Sequence, residues 1–371
     1  MSIYEQIEKP TLVLDVEKAR RNLHRMAEKA KNQQVRFRPH FKTHQSAEVG
    51  EWFRPEGVTA ITVSSVDMAS YFASSGWQDI TIAFSVNLRQ VQAIRELAAR
   101  IHLELLVESA ETVDFLQEYL AAPVDVWVKV DSGAGRTGLA WNEFGAIAGL
   151  VKQVGKSSRL HLRVILTHAG HTYQAKSPDE IRRLFGESVE RMIQTRHGLQ
   201  AAGLGMVEVS VGDTPGCSLS ERFGEISEIR PGNFVFYDAE QYAMGSCAAE
   251  DIAVALACPV VAKHTERGEA VVYGGAIHLS KDWMVEGGRM THGMIALPKG
   301  AQDNRWGNPL PGAYVDRLSQ EHGLLHLDGE DLAKLRIGDL VYVLPVHSCL
   351  TVQVMGEYLT LEGKKISTMN K

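Results

Sequence analysis

The stretch LELLVESAETVDFLQEYLAAPVDVWVKV, residues 103–130, contains one complete strand–helix–strand unit. β-Branched and other apolar residues predict strands at both of its ends, over 103–107 and 124–130. Apolar residues at helical spacing predict a helix between them, over 111–120. Because strands that are joined through a helix run parallel in one sheet, this stretch predicts an α/β fold.

Units of this kind recur along the first two thirds of the chain. They begin after an opening strand at 11–14 and a helix at 16–31. Eight strands in alternation with helices favour a closed (β/α)8 TIM-type barrel over an open, doubly wound sheet. The predicted barrel strands are 35–38, 60–63, 80–84, 103–107, 124–130, 161–166, 207–211 and 233–236, and the helices between them include 88–100, 111–120 and 178–202.

The pattern changes from about Gly245 onward. Short alternating runs, separated by Gly and Pro, predict a mostly antiparallel β domain. The chain has 371 residues, which leaves room for a second domain beside a barrel of about 250 residues. We therefore predict a barrel over 11–244 and a β domain over 245–371 that includes about ten N-terminal residues. The predicted strands of this domain are 252–257, 269–273, 324–327, 340–344 and 350–355.

Composition and charge narrow the class of protein. A net charge of −6 gives no reason to expect binding to nucleic acid or to anionic membranes. The longest apolar run, 252–262, is shorter than the roughly 18 residues of a membrane helix. The N-terminal residues do not have the pattern of a signal peptide. From these two observations we expect a cytoplasmic protein. Four cysteines do not make a disulfide framework in a chain of this length.

In a barrel, reactive side chains follow the C-terminal ends of the strands. The segment RPHFKTH, residues 38–44, follows the first barrel strand and places Lys42 between His40 and His44. A lysine at the barrel mouth can bond covalently to a carbonyl cofactor if its amine is neutral. The alternative is an ordinary solvated lysine.

Two further loops carry candidate residues after the fifth and sixth strands. In DSGAGRTG, residues 131–138, Arg136 could face a ring nitrogen or a carboxylate, or form a surface ion pair. In THAGHTY, residues 167–173, the flat imidazole of His168 could pack on a cofactor ring, and Tyr173 lies close by in sequence. Loop residues of these types often carry function.

The segments GDTPG, residues 212–216, and RPGN, residues 230–233, lie near the seventh and eighth predicted strands. Their glycines and short polar side chains suit a phosphate, although both are also ordinary turn sequences. Barrels often hold phosphate at these two strands. A lysine, a ring-packing histidine and two phosphate-binding loops at one mouth describe a site for pyridoxal 5'-phosphate (PLP).

A last candidate site lies in the segment LPVHSC, residues 344–349. His347 and Cys349 point to the same side if the chain is extended. An imidazole with a thiolate suits zinc. A site with open positions for water or substrate is catalytic rather than structural.

These motifs resemble the D-serine dehydratase and D-threonine aldolase family, fold-type III PLP enzymes whose barrel is related to that of alanine racemase. RPHFKTH and PVHSC carry the resemblance, which covers most of the chain. It implies that the protein is a homodimer, that Lys42 carries PLP, and that Arg136 lies near the pyridine nitrogen. The implied cofactor contacts are His40, Lys42, Arg136, His168, Tyr173, Gly212, Thr214, Gly232 and Asn233, and the implied metal ligands are His347 and Cys349.

Within that family, dehydratases resemble this chain in having His-x-Cys with zinc, whereas aldolases more often have His-x-Asp with manganese. Loss of hydroxide benefits from a Lewis acid at the 3-hydroxyl, whereas a retro-aldol reaction needs that hydroxyl deprotonated. We therefore expect a PLP- and zinc-dependent D-amino-acid dehydratase for a substrate such as D-serine, D-threonine or 3-hydroxyaspartate. Its catalytic residues are expected to be Lys42, His347 and Cys349.

Three alternatives remain. The first is an aldolase on the same scaffold that releases glycine. The second is a racemase, since Tyr273-Gly-Gly275 stands where family members often have Asp-Ala-Gly, and Tyr273 could act as a second base. The third is a non-catalytic PLP-binding protein, but such single-domain barrels do not have a β domain or a metal pair.

Overall fold

The computed structural model describes residues 3–300 and 303–370, and the chain folds into two compact units. One unit, the barrel unit, comprises residues 25–42 and 50–232. The other, the β unit, comprises the residues up to 24, residues 43–49 and those from 233 onward. These units divide the chain at 232/233, whereas the domain boundary predicted from sequence lies at 244/245 and stays a prediction.

The barrel unit contains eight parallel strands, each hydrogen-bonded to the next. The ring closes between the first and second strands, where Thr62 accepts from Phe41 N at 2.8 Å and donates to Pro39 O at 3.0 Å. His40 and Thr62 form a parallel bridge there. The predicted barrel is therefore confirmed. The strands are Arg36–Phe37, Ile61–Val63, Asp79–Ser85, His102–Val107, Val124–Asp131, Leu160–His168, Glu208–Gly212 and Glu228–Ile229.

Serine side chains begin several of the helices between these strands. Ser65, Ser109 and Ser177 each accept a hydrogen bond from the backbone N–H three residues further on. Such N-caps satisfy amides that have no partner inside the helix. The α-helices up to residue 232 are Val16–Asn32, Ala47–Glu51, Val66–Ser74, Val91–Ala98, Ala110–Tyr119, Phe144–Val154, Pro178–Ala201 and Thr214–Leu219, the first two of which cross the boundary between the units.

The eighth barrel strand is not the one predicted from sequence. Residues 233–236 were expected to form it, but Asn233–Val235 is a 3-10 helix and the strand is Glu228–Ile229. The buried Glu228 carboxylate pairs with Arg38 Nε at 2.9 Å, so this short strand has no apolar signature. As a consequence, the segment 230–233 follows the last strand and does not precede it.

The β unit is built on a nine-stranded sheet, mostly antiparallel. One pair of strands is parallel, Thr11–Leu14 with Glu357–Thr360. The sheet strands are Thr11–Leu14, Val254–His264, Glu269–Tyr273, Gly293–Ala296, Tyr314–Leu318, His322–His326, Leu340–Pro345, Glu357–Thr360 and Lys365–Ser367. Two separate antiparallel strand pairs join Met284–Glu286 with Arg289–Thr291 and Pro298–Gly300 with Asp303–Trp306. The α-helices are Ala239–Ala243, Ala276–Leu279, Gly329–Lys334 and Ser348–Met355.

The strand predicted at 350–355 is also wrong, because this segment belongs to the helix Ser348–Met355. Its β-branched residues suggested a strand. Gly356 ends the helix in the left-handed conformation, with φ 69°, and donates to Val352 O. A glycine in this position is a common helix stop. No helix in the two described ranges is long and apolar enough to cross a membrane.

Candidate active site

The candidate cofactor residues of the barrel unit all lie at or after the C-terminal ends of its strands. Their charges act on one another across the mouth, since the pKa of His40 is lowered well below its usual value by burial and then by Lys42, Arg230, His168 and Arg136. The residues are His40 and Lys42 after the first strand, Arg136 after the fifth, His168 and Tyr173 at the sixth, Gly212 and Thr214 at the seventh, and Gly232 after the eighth.

Lys42 lies in a tight turn that begins at the strand-closing residue His40. Its backbone N–H donates to His40 Nδ1 at 3.3 Å. The preceding residue, Phe41, is fully buried against the rings of Phe53 and Trp77, with centroid distances of 4.8 and 5.1 Å. This packing fixes the turn, so the lysine starts from a rigid backbone at the barrel mouth.

His168 is held as a neutral imidazole. Its Nδ1 lies 2.6 Å from Gly212 O, and because a carbonyl only accepts, Nδ1 carries the proton. Burial, followed by the charges of Arg136, Lys129 and Lys42, lowers the pKa of His168 well below its usual value. The ring is therefore fixed in one tautomer and one orientation, as a flat surface for a cofactor ring requires.

The start of the short helix Thr214–Leu219 offers one side-chain donor that has no partner among the described residues. Thr214 N lies 3.4 Å from Tyr173 Oη, and Thr214 Oγ1 is buried with no hydrogen-bond partner among the described residues. A buried hydroxyl without a partner is costly and calls for a ligand. At Gly212 an added Cβ would lie 3.0 Å from Arg230 Cβ, so only glycine leaves room here. These residues fit the phosphate of PLP.

Asp213 begins that helix and is fully enclosed. Its Oδ1 accepts from Gly216 N at 2.6 Å and from Thr172 Oγ1 at 3.0 Å. Burial raises the pKa of Asp213 to about 7, although both hydrogen bonds act in the opposite direction. The carboxyl group next to the phosphate-binding loop is thus largely protonated below neutral pH and does not repel an anion there.

The raised pKa of Asp213 predicts a pH-dependent stability. Between pH 4 and 7 the folded protein keeps a proton that the unfolded chain has released, so stability falls as pH rises through this window. Asp213→Asn keeps the helix cap but has no titrating carboxyl group, so its stability should not fall in this window. Between pH 4 and 7 the free energy of unfolding of the wild type should fall by at most about 4 kcal/mol more than that of the variant. Urea unfolding of both apoproteins from pH 4 to 8 measures it. A constant difference between the two proteins would contradict the assignment.

In the β unit, His347 and Cys349 lie at the start of the helix Ser348–Met355. The extended geometry expected from sequence is therefore wrong, since only His347 is extended and Cys349 is in the first helical turn. The two side chains are nevertheless neighbours. Burial lowers the pKa of His347, but the negative charge and hydrogen bond of Cys349, with Asp238 and Glu240, raise it to about 10.

Asp238 and Glu240 lie beside His347 and were not among the residues predicted from sequence. Asp238 Oδ2 and Glu240 Oε2 lie 3.6 and 3.8 Å from His347 Nδ1. Asp238 also accepts from Ser348 N at 2.9 Å, which ties it to the His-x-Cys segment. An Asp at the N-cap of the helix Ala239–Ala243 was the available signal, and the misplaced eighth strand hid it. The donor set of imidazole, thiolate and carboxylate fits zinc.

Asn233, expected to help hold the phosphate, lies in the β unit. Its Nδ2 donates to Asp238 Oδ2 at 2.5 Å and to Ser348 Oγ at 3.1 Å. The side-chain amide is therefore engaged beside the His-x-Cys segment. Tyr273, the alternative second base, ends a sheet strand and packs edge-on against His278 at a centroid distance of 5.5 Å.

Asp79, His102 and Glu104 form a second group of potential metal ligands, in the barrel unit. The Arg38 guanidinium, however, lies 2.5 Å from Asp79 Oδ1 and 3.0 Å from Glu104 Oε2. A fixed positive charge between the carboxylates neutralises them and repels a cation. We assign this group as an ion-pair network inside the barrel.

Comparison with known proteins places these features in one class. Residues 14–240 match the family model "Alanine racemase, N-terminal domain", and residues 253–361 match "Putative serine dehydratase domain". The fold and the lysine site thus define a fold-type III PLP enzyme. The chain belongs to the family of D-serine dehydratases and D-threonine aldolases, whose members are PLP-dependent lyases.

Three relatives represent the reactions in this family. D-threo-3-hydroxyaspartate dehydratase from Delftia sp. is 29% identical over 93% of this chain and 92% of its own. D-serine dehydratase from Dictyostelium discoideum is 29% identical over 94% of this chain and 91% of its own. A 3-hydroxy-D-aspartate aldolase from Paracoccus denitrificans is 23% identical over 98% of this chain and 91% of its own.

The Delftia dehydratase has also been solved, with a TM-score of 0.91 to this chain, 26% identity, and coverage of 100% of this chain and 99% of that one. Its structures include a histidine-to-alanine mutant and a cysteine-to-alanine mutant in the metal-free form. The numbers of the two mutated residues differ by two.

Proposed function

We propose that the protein is a PLP- and zinc-dependent dehydratase, an ammonia-lyase, for a D-3-hydroxy amino acid such as D-serine, D-threonine or 3-hydroxyaspartate. The observation that carries this proposal is the pairing of the His347 imidazole with the Cys349 side chain beside the carboxylate of Asp238. The Delftia dehydratase supports it, because a histidine and a cysteine two positions apart are the residues mutated there, and the cysteine mutant is metal-free.

Lys42 is proposed to hold PLP covalently and to remove the α-proton of the substrate as general base. When bound, PLP supplies an electron sink that makes this proton acidic. Thr214, Gly212, Gly232 and the backbone of Asn233 would hold the phosphate. His40, His168 and Tyr173 would line the ring, with His168 locked by its hydrogen bond to Gly212 O. Arg136 would supply positive charge near the pyridine nitrogen.

His347 and Cys349 are proposed to bind the metal, with Asp238 orienting the imidazole from Nδ1. A divalent metal supplies a Lewis acid for the 3-hydroxyl that leaves. Cys349 Sγ lies 3.2 Å from the hydroxyl of Thr43. Thr43 directly follows Lys42 in the chain, so a proposed metal ligand contacts the sequence neighbour of the proposed base.

The second candidate is an aldolase that releases glycine from the same kind of substrate. The Paracoccus aldolase, which spans nearly the whole chain, favours it. Cys349 favours the dehydratase, because leaving hydroxide needs a Lewis acid. The match of residues 253–361 to a serine dehydratase domain argues against a non-catalytic PLP-binding protein.

Product analysis tests the proposal. The purified protein, loaded with PLP and zinc, receives D-serine, D-threonine or D-threo-3-hydroxyaspartate, with L-serine and the Lys42→Ala variant as controls. A 2-oxo acid with ammonia establishes the dehydratase. Glycine with an aldehyde from D-threonine establishes the aldolase, and racemised amino acid alone would establish the racemase.

We expect Thr214→Val to weaken PLP binding. Loss of a buried hydroxyl that donates to a charged phosphate lowers affinity about tenfold or more. Absorbance titration of the apoprotein with PLP measures the dissociation constant. Thr195→Val is the matched control, since its buried hydroxyl donates to Arg191 O inside a helix. Equal constants for Thr214→Val and wild type would show that Thr214 does not contact the cofactor.

We also propose a homodimer, which the hairpin of Met284–Glu286 and Arg289–Thr291 supports. On and beside it Trp283, Val285 and Met290 are 58, 60 and 51% exposed, a patch of the kind that marks a protein interface. Light scattering after size exclusion should give twice the chain mass. Trp283→Glu should shift the protein toward the monomer, and a wild-type monomer at micromolar concentration would contradict the proposal.

A further inference from the structure

The loop that carries Arg136 is closed at its base. Val130 pairs with Leu139 and Asp131 with Ala140, in a short parallel ladder. Trp141 N donates to Asp131 O at 3.0 Å. Residues 132–138 therefore leave the fifth barrel strand and return to it, and their arrangement depends on contacts inside the loop.

The Asp131 carboxylate supplies the main contacts. Its Oδ1 accepts from Gly133 N at 2.9 Å and from Ala134 N at 2.8 Å, and its Oδ2 accepts from Gly135 N at 2.9 Å. Three consecutive amides thus converge on one side chain. Hydrogen bonds to a charged acceptor are about twice as strong as neutral ones.

Glycines with positive φ make this convergence feasible. Gly133 and Gly135 have φ of 132° and 68°. At the far end, an added Cβ on Gly138 would lie 2.8 Å from Lys129 Cγ and 2.9 Å from Asp131 N, so this position accepts only glycine. Glu108 accepts from Gly138 N and holds the returning end. The loop is fixed on both sides of Arg136.

The side chain of Arg136 has few contacts that could hold it in one position. It is exposed and makes no hydrogen bond or ion pair with any described residue. Nevertheless its charge is felt at the mouth, because after burial it is the largest cause that lowers the pKa of His168. No side-chain contact among the described residues holds this charge, so its position depends on the backbone of the loop.

We propose that Asp131 is a positioning residue, which fixes the guanidinium of Arg136 at the barrel mouth by binding the amides of Gly133, Ala134 and Gly135. This inference rests on the proposed role of Arg136 beside the PLP ring. Asp131 touches neither substrate nor cofactor and acts only through Arg136.

Hydrogen exchange of the apoprotein tests whether Asp131 orders the loop, and it needs no enzyme turnover. In Asp131→Ala, peptides covering 132–138 should exchange at least about tenfold faster, since three amides lose a charged acceptor. Asp328→Ala is the matched control, because Asp328 of the β unit likewise accepts from a backbone amide, that of Asp331. Unchanged exchange in Asp131→Ala would overturn the proposal.

A double-mutant cycle tests whether Asp131 acts through Arg136. Asp131→Ala should lower kcat/KM about tenfold or more on its own, yet by less than about twofold when Arg136 is already alanine. The visible absorbance of bound PLP should shift in the same direction in both single variants. Asp131→Asn, which keeps one acceptor oxygen, should recover part of the loss and covers the case in which Asp131→Ala does not fold.

Full additivity of the two substitutions would overturn the proposal, as would an absorbance shift in Arg136→Ala alone. If instead no D-amino acid is converted by the wild type, the proposed function fails. Exchange and absorbance still decide the role of Asp131 in that case.

Discussion

Replacement of Lys42 by alanine is expected to abolish covalent attachment of PLP and to lower turnover by at least about 10³-fold. Lys42 is the lysine on the rigid turn after the first barrel strand, and its backbone is fixed by His40 and by the buried Phe41. The loss of its amine removes both the bond to the cofactor and the proposed base. The visible absorbance band of lysine-bound PLP reports the first effect directly.

Lys31→Ala provides the matched control, since Lys31 is a surface lysine whose side chain is 76% exposed. Its spectrum and activity should equal those of the wild type. Borohydride reduction of the wild type, followed by peptide mapping, should place the cofactor on the peptide that contains Lys42. A band that survives in Lys42→Ala, or a label on Lys129, would show that another lysine carries PLP.

Alternation of strands and helices along the sequence was sufficient to predict the barrel, because a parallel sheet covered by helices gives long apolar strands. The eighth strand failed for a physical reason. Glu228–Ile229 is short, and Glu228 is stabilised in the interior by Arg38 rather than by apolar packing. Phe234 and Phe236 had the apolar pattern of a strand but are buried around a 3-10 turn.

Candidate site residues could be proposed from sequence where they lie at or directly after the C-terminal ends of barrel strands, because reactive side chains of a barrel lie there. Lys42, His168 and Thr214 were found in this way. Asp238 was not, because its role depends on Ser348, which lies 110 positions away in sequence, and on the adjacent His347. No local pattern specifies which carboxylate a distant turn brings beside a histidine. Contacts between residues so far apart in sequence follow from tertiary packing alone.

The two histidines at the candidate sites show how each unit sets its own electrostatics. At the barrel mouth the charges of Arg136, Lys129 and Lys42 add to burial and keep His168 neutral. The same positive charges suit the anionic phosphate of PLP. In the β unit the charges of Cys349, Asp238 and Glu240 outweigh burial and raise the pKa of His347 to about 10. The same anionic surroundings that favour a proton on His347 favour a divalent cation.

Replacement of Cys349 by alanine is therefore expected to remove the metal while PLP remains bound. One of two proposed protein ligands is lost, so metal content should fall to a small fraction of the wild-type value. Dehydration should slow by about 10²-fold or more, because the Lewis acid supplies several kcal/mol to the departure of hydroxide. Elemental analysis and the PLP absorbance band measure the two effects on one sample.

Cys247→Ala is the matched control, since Cys247 is a cysteine of the same unit and is not a proposed ligand. It should keep full metal content and activity. Cys349→Asp separates the two candidate reactions, because a carboxylate prefers manganese over zinc more than a thiolate does. We expect this variant to bind manganese and to lose dehydration on zinc. An undiminished rate in Cys349→Ala would mean that the metal takes no part in the reaction, and the choice between dehydratase and aldolase would then rest on the products alone.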